Sequence, residues 1–501
     1  MTDFTRLLPS AVFFLCLILL GFYLKKQDSL KRQNNFSKDY FIGGRSLSGF
    51  VLAMTLVATY GSVSSFVGGP GVAWQKGFAW VLFASVQIIA AYLILGIFGK
   101  KMAVIARKID AITIIDLIRF RYNSNILANL CALVLLVFFT TQMIAQFIGG
   151  AQIFAAVTGM SYAAGLLFFA IVVIVYTTIG GFRTVAITDT ICAIMMLLGM
   201  FFLAFSILKQ GGGLQNIMHS LQLTSHTANN IDLLSPTASG SVPIPLLMSQ
   251  WILCGIGTIA LPQSAVRCIS YKDTQSVHRA MIIGTIVCGA MMIGMPLLGV
   301  LARSIITAPL AQLGGTTDKI MPLLIANYMN PWLAGMTIIG PLAATMSTIS
   351  SLLIAGSSAI VKDIYLFYNQ DANHAENQKT LSYISTTITA LMGIITVIMA
   401  LHPPDIIVWI NLFAFGGLET AFFWILLLGF FWHRANSHGA ILSLVGGLTA
   451  YCLCTAYGIK ISSFHNIVIG IGSGALFFIL GSIWGKSPNE KIKRIFFPER
   501  Y

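Results

Sequence analysis

The chain has 501 residues, 57% of them hydrophobic and 9% charged, against about 25% charged in a soluble globular domain. That balance excludes a water-soluble enzyme. The formal charge of +14 would invite a nucleic-acid partner in a soluble protein, but here the charges sit between apolar runs, where they set membrane orientation, and no nucleic acid is expected.

A helical crossing of a bilayer takes about 20 residues. The first apolar run, 7–24, follows Arg6 and ends Gly21-Phe22-Tyr23-Leu24 before Lys25 and Lys26. It lacks the small residues of a cleavage site and reads as a retained helix. Further helices are expected over 47–73, 78–98, 124–157, 162–180 and 185–208. After an external loop at 209–242 they resume over 243–267, 280–303, 331–360, 380–400, 406–431, 439–457 and 464–484. The reading is an all-α integral membrane protein of about 13 transmembrane helices. Twenty-four of the 30 Lys and Arg residues fall in one set of alternate loops, which places the N-terminus outside and the C-terminus in the cytoplasm.

Two of these helices carry breakers. The second contains Gly61, Gly68, Gly69, Pro70 and Gly71, and the seventh contains Gly255, Gly257 and Pro262. Freed backbone is tolerated at membrane depth only inside protein or along a cavity. With the first helix set aside, these are helices one and six of a ten-helix core, the pattern of an inverted-repeat secondary transporter. Service of Gly and Pro in helix packing alone is the other reading.

The segment 341–351 concentrates hydroxyls in one helix. At about 100° per residue, Ser347 and Thr348 flank one face, with Ala344 a turn earlier. Two hydroxyls and the Ala344 carbonyl, joined by carbonyls of the interrupted stretch Ala58-Thr59-Tyr60-Gly61, would supply five oxygens to a dehydrated cation. Hydroxyls bonding back to their own helix are the alternative. Asp189 opens a long apolar helix and reads either as an ion contact or as a solvated helix-start acid. Glu419 lies deep in its helix and needs a proton, a cation or a hydrogen-bonding partner, for gating or for structure. Gln87, Gln142 and Gln146 are amides in apolar helices, suited to a polar pocket or to interhelical bonding. The eight cysteines show no zinc spacing and read as free thiols. No catalytic triad, metal cluster or phosphate loop is visible, so neither enzyme activity nor a cofactor is expected.

Residues 39–45 (DYFIGGR), 65–71 (SFVGGPG), 146–151 (QFIGGA), 265–273 (AVRCISYKD) and the hydroxyl-rich helix ending in 361–365 (VKDIY) together resemble the sodium/solute symporter family over nearly the whole chain. The resemblance implies a LeuT-type fold of two inverted five-helix repeats with an extra N-terminal helix, in a bacterial cytoplasmic membrane. It divides the chain into 1–46 (extra helix and loop), 47–208 (first repeat), 209–242 (external loop), 243–431 (second repeat) and 432–501 (two peripheral helices and tail). It implies sodium as the coupling ion, held by the carbonyls of Ala58, Gly61 and Ala344 and the hydroxyls of Ser347 and Thr348, with Asp189 as a possible second ion contact.

Relatives that carry proline have an acid where this chain has Tyr60 and aromatics where it has Cys254 and Thr258, and sugar carriers have an acid at Ala84. These departures suit an anionic solute, and pantothenate or a similar small carboxylate is the expected cargo. Ser64, Ser65, Gln87, Gln142, Gln146, Cys254 and Thr258 are the candidate pocket residues. No intramembrane Lys or Arg is expected to meet the anion, which leaves helix N-termini at the breaks and bound sodium to do so. The alternatives are another monocarboxylate or an amino acid such as proline, a transporter-like sensor, which would be expected to carry a signalling domain, and a channel.

Overall fold

The computed structural model describes residues 4–30, 36–227, 232–313, 315–369, 378–402 and 407–498. Part of the expected 209–242 loop, residue 406 and the last three residues lie outside these. The described chain is helical, with one isolated β-bridge, Leu47 to Tyr271.

The principal elements are α1 (Phe4–Leu30), α2 (Gly49–Tyr60), α3 (Ser64–Lys76), α4 (Phe78–Lys108), α5 (Asn125–Thr158), α6 (Tyr162–Gln210), α7 (Ile244–Ala260) and α8 (Pro262–Ser270). They continue as α9 (Thr274–Ala302), α10 (Pro331–Tyr368), α11 (Gln378–Ala400), α12 (Ile407–Phe431), α13 (Ser437–Ala456) and α14 (Ile467–Trp484). Among the described residues, ten helices are long and apolar enough to cross a membrane, and counting the bent pairs α2/α3 (67°) and α7/α8 (45°) as one span each gives up to twelve.

The expected thirteen is not returned by length and apolarity, because α6 is one 49-residue element. It is turned at Gly181, whose φ of 64° and ψ of −171° leave the helical region. Just before α6, the Val157 carbonyl accepts from Arg6 at 3.5 Å. At its end, Gln210 donates to the Tyr328 carbonyl at 2.9 Å, close ahead of Gly335, which packs on Arg6 and Pro9. Both ends of α6 therefore lie on the face that carries Arg6, and its two arms run out and back. Thirteen requires counting those arms separately.

The two breaks share one backbone geometry. Gly61 has φ −67° and ψ 114°, and Leu261 has φ −70° and ψ 116°. At Leu261 the cause is Pro262, which pushes the residue before it out of the helical region. The bridge between Leu47 and Tyr271 then ties the start of α2 to the end of α8, with Leu47 donating to the Ser270 carbonyl at 3.2 Å and Lys272 donating to that of Leu47 at 3.0 Å.

Helix α10 runs through the centre, and every residue of 339–358 is buried. Side chains such as Leu15, Leu19, Phe22, Ile282 and Ile286 are exposed instead, as lipid-facing helix surfaces require.

Candidate functional site

Where a helix stops, its last carbonyls lose their partners. The end of α2 at Tyr60 frees oxygens in this way, and α10 supplies hydroxyls facing them. Ser347 Oγ lies 2.8 Å from the Ala58 carbonyl oxygen and 3.2 Å from that of Ala344. Thr348 Oγ1 lies 3.0 Å from the Ala344 carbonyl and 3.2 Å from the Gly61 carbonyl. All five oxygens expected from the sequence are brought together. The hydroxyls also bond back along α10, Ser347 to Ala343 at 2.9 Å, so the alternative reading describes part of the same geometry. Each hydroxyl has one proton and two lone pairs, so the group is rich in acceptors and short of positive charge.

One turn further along both helices lies a second polar group. Asp189 is wholly buried, and its Oδ2 accepts from Thr55 at 2.7 Å, Arg267 at 3.2 Å and Ser351 at 3.4 Å. Its Oδ1 has no protein partner. The reading of Asp189 as a solvated helix-start acid is therefore corrected: the turn at Gly181 carries it into the interior. Thr59 and Ser351 hydroxyls, 3.0 Å apart, link this group to the first.

Arg267 closes the expected helix 243–267 and counts among the loop charges in the sequence, where no intramembrane Lys or Arg is expected. The structure buries it completely, on α8, where it also donates to Ser351 at 2.5 Å and to the Gln263 carbonyl at 2.7 Å. The available signal was a lone basic residue within the amphipathic stretch that follows Pro262.

Beside the first group is a cavity lined by residues of α2, α3, α4, α7, α9 and α12. Ser64, Ser65, Gln87, Cys254 and Thr258 line it, as does Glu419. Gln146 stands behind the wall, accepting from the Val63 amide at 2.9 Å and donating to Asn411 at 3.2 Å. Gln142 does not line the cavity, and neither end of its buried amide has a protein partner. Sequence reasoning missed Asn411, Trp80 and Phe83, the last two stacked at 3.9 Å. No Lys, Arg or His is among the lining residues. Of the two breaks, the start of α3 at Ser64 and Ser65 reaches the cavity, whereas Pro262 at the start of α8 does not line it. Tyr60 also lines the cavity and donates to the Cys254 carbonyl at 2.7 Å. A larger space opens on the face opposite Arg6, lined by Lys25, Asp39, Val51, Arg183 and Ile187 among others.

A multi-pass helical bundle with two matched broken helices around a central cavity is the architecture of a secondary transporter. A sequence model of the sodium:solute symporter family matches residues 40–447. The chain belongs to that family, whose members couple solute transport to sodium. It is 42% identical to the sodium/pantothenate symporter of Haemophilus influenzae over 92% of this chain and 93% of that one. It is 40% identical to the sodium/pantothenate symporter of Escherichia coli over 96% and 97%, and 27% identical to the sodium/proline symporter of Salmonella typhimurium over 98% and 95%. The fold matches that of a substrate-bound, outward-open Na+-coupled sialic acid symporter with a TM-score of 0.81, at 21% identity, over 97% of this chain and 99% of that one.

Proposed function

We propose that this protein takes up pantothenate across the bacterial cytoplasmic membrane, coupled to sodium entry, by alternating access between the inverted repeats 47–208 and 243–431. The observation that carries the cargo assignment is the step in identity from 27% with a proline symporter to 40% and 42% with pantothenate symporters. The charge asymmetry of the loops supports an N-terminus on the periplasmic side and a C-terminus in the cytoplasm.

In this reading the carbonyls of Ala58, Gly61 and Ala344 and the hydroxyls of Ser347 and Thr348 bind sodium. A cation supplies the positive charge that the five oxygens otherwise share through two hydroxyl protons. The hydroxyl track through Thr59 and Ser351 leads the ion toward Asp189, whose free Oδ1 is the second contact, and then to the space on the opposite face. The solute occupies the central cavity, whose wall includes the start of α3, where the helix dipole is positive.

Moving one charge across the membrane is worth about 2.3 kcal/mol per 100 mV. An anion travelling with a single sodium gains nothing from the potential, so a second sodium, held at Asp189, makes the cycle electrogenic. The test is uptake of radiolabelled pantothenate into proteoliposomes under an imposed sodium gradient, with a panel of competing solutes. Uptake should vanish when the gradient is removed. Competition by proline or another monocarboxylate at lower concentration than unlabelled pantothenate would reassign the cargo.

A further inference from the structure

The central cavity holds one carboxyl group, and the sodium reading does not use it. Glu419 of α12 lines the cavity yet is wholly buried. Neither Oε1 nor Oε2 has a hydrogen-bond partner in the protein. The carboxyl lies directly against Gly257, at the unwound end of α7, where any Cβ would overlap it.

The titratable side chains that face Glu419 are Tyr60 of α2, Cys254 of α7 and Tyr451 of α13, all neutral at pH 7. No cationic side chain of the described residues faces it. A carboxylate in such a place has lost its water and gained nothing in return, a state that costs several kcal/mol and is relieved by a proton. The Tyr60 and Thr258 hydroxyls donate elsewhere, to the Cys254 and Gly255 carbonyls.

We infer that Glu419 stands in the cavity wall as a neutral carboxylic acid and offers its O–H to the carboxylate of the bound solute. This rests on the cavity being the solute site, as proposed above. The acid form contributes a hydrogen-bond donor without adding negative charge, which an anionic cargo in a cavity lined by no Lys, Arg or His requires. A charged Glu419 would repel the same cargo. The residue therefore selects for anions, and its place against Gly257 makes the fit depend on the shape of the broken helix.

The experiment uses the full chain in proteoliposomes. In infrared difference spectra at neutral pH, the wild type should show the C=O band of a protonated carboxyl, Glu419→Gln should lack it, and pantothenate should shift it. In transport, Glu419→Gln, neutral and still a donor, should keep the pantothenate KM within about threefold, whereas Glu419→Ala should raise it about tenfold, the loss of one hydrogen bond to a charged group. Neither variant should change the sodium concentration for half-maximal uptake. A missing band in the wild type overturns the proposal, as does a band that pantothenate leaves in place while uptake is intact. Glu419→Gln losing its sodium activation would make the residue a cation ligand and overturn it equally. A wild type that transports no pantothenate is a failure of the cargo assignment, visible in the transport arm alone, and the infrared band still decides whether the acid is neutral.

Discussion

Arg267 and Asp189 meet in the interior of the bundle, Nη2 to Oδ2 at 3.2 Å, with side-chain exposures of 1% and 0%. A buried pair of this kind is held in place by the cost of separating it: removing one partner strands the other without water.

Replacing Arg267 by Met should therefore cost about 3–5 kcal/mol of stability, read as a lower thermal transition in detergent. Adding Asp189→Asn to the same chain should restore most of that loss, and transport should stay impaired if Asp189 is the second ion contact proposed above. Equal stability of the single and double variants would show that the pair is not what holds α6 to α8.

Much of this arrangement was legible in the sequence. Gly61 and Pro262 announced the two breaks, and the spacing of Ala344, Ser347 and Thr348 placed three oxygens on one helical face. Arg267 was not legible, because a basic residue five positions from Pro262 and just ahead of Tyr271-Lys272 looks like the edge of a loop. The fact that α8 turns back under α2 is tertiary. Asn411 was missed for a related reason: its role depends on Gln146, 265 residues away, and no local period reports such a pairing. The turn of α6 at Gly181 hides in a run that is otherwise continuous helix.

Cys254 is the one cysteine among the residues that line the cavity. In a chain whose other seven cysteines are replaced, a small maleimide should modify it, and sodium with pantothenate together should slow the reaction at least about fivefold. Labelling that is indifferent to both ligands would separate Cys254 from the solute path.

Gly77 links α3 to α4 with a φ of +66°, and a side chain there would overlap the Leu233 carbonyl, which accepts from the Phe78 amide at 2.8 Å. Strain in this region costs of order 1–3 kcal/mol, so Gly77→Ala should lower the thermal transition by several degrees. Gly472, which faces open space on α14, is the control. Its Ala variant should be neutral or slightly stabilising, and equal effects at the two positions would contradict the account.

His465, between α13 and α14, is pushed down to about 4 by burial, aided by Lys460, and its Nδ1 accepts from the Ile467 amide at 3.2 Å. An unfolded chain binds this proton near the ordinary value of about 6.5, whereas the folded chain does not until about 4. Stability should therefore fall as pH drops through that window. The thermal transition should decline less steeply between pH 7 and pH 5 in His465→Gln than in the wild type, and parallel declines would show that the imidazole is not responsible.

The most direct measurement is a sodium titration of uptake in the wild type, Ser347→Ala and Thr348→Ala. If these hydroxyls, with the carbonyls of Ala58, Gly61 and Ala344, hold the coupling ion, each variant should need about tenfold more sodium or beyond for half-maximal uptake. The pantothenate KM at saturating sodium should change little. Titration curves that superimpose on the wild type in both variants would contradict the account.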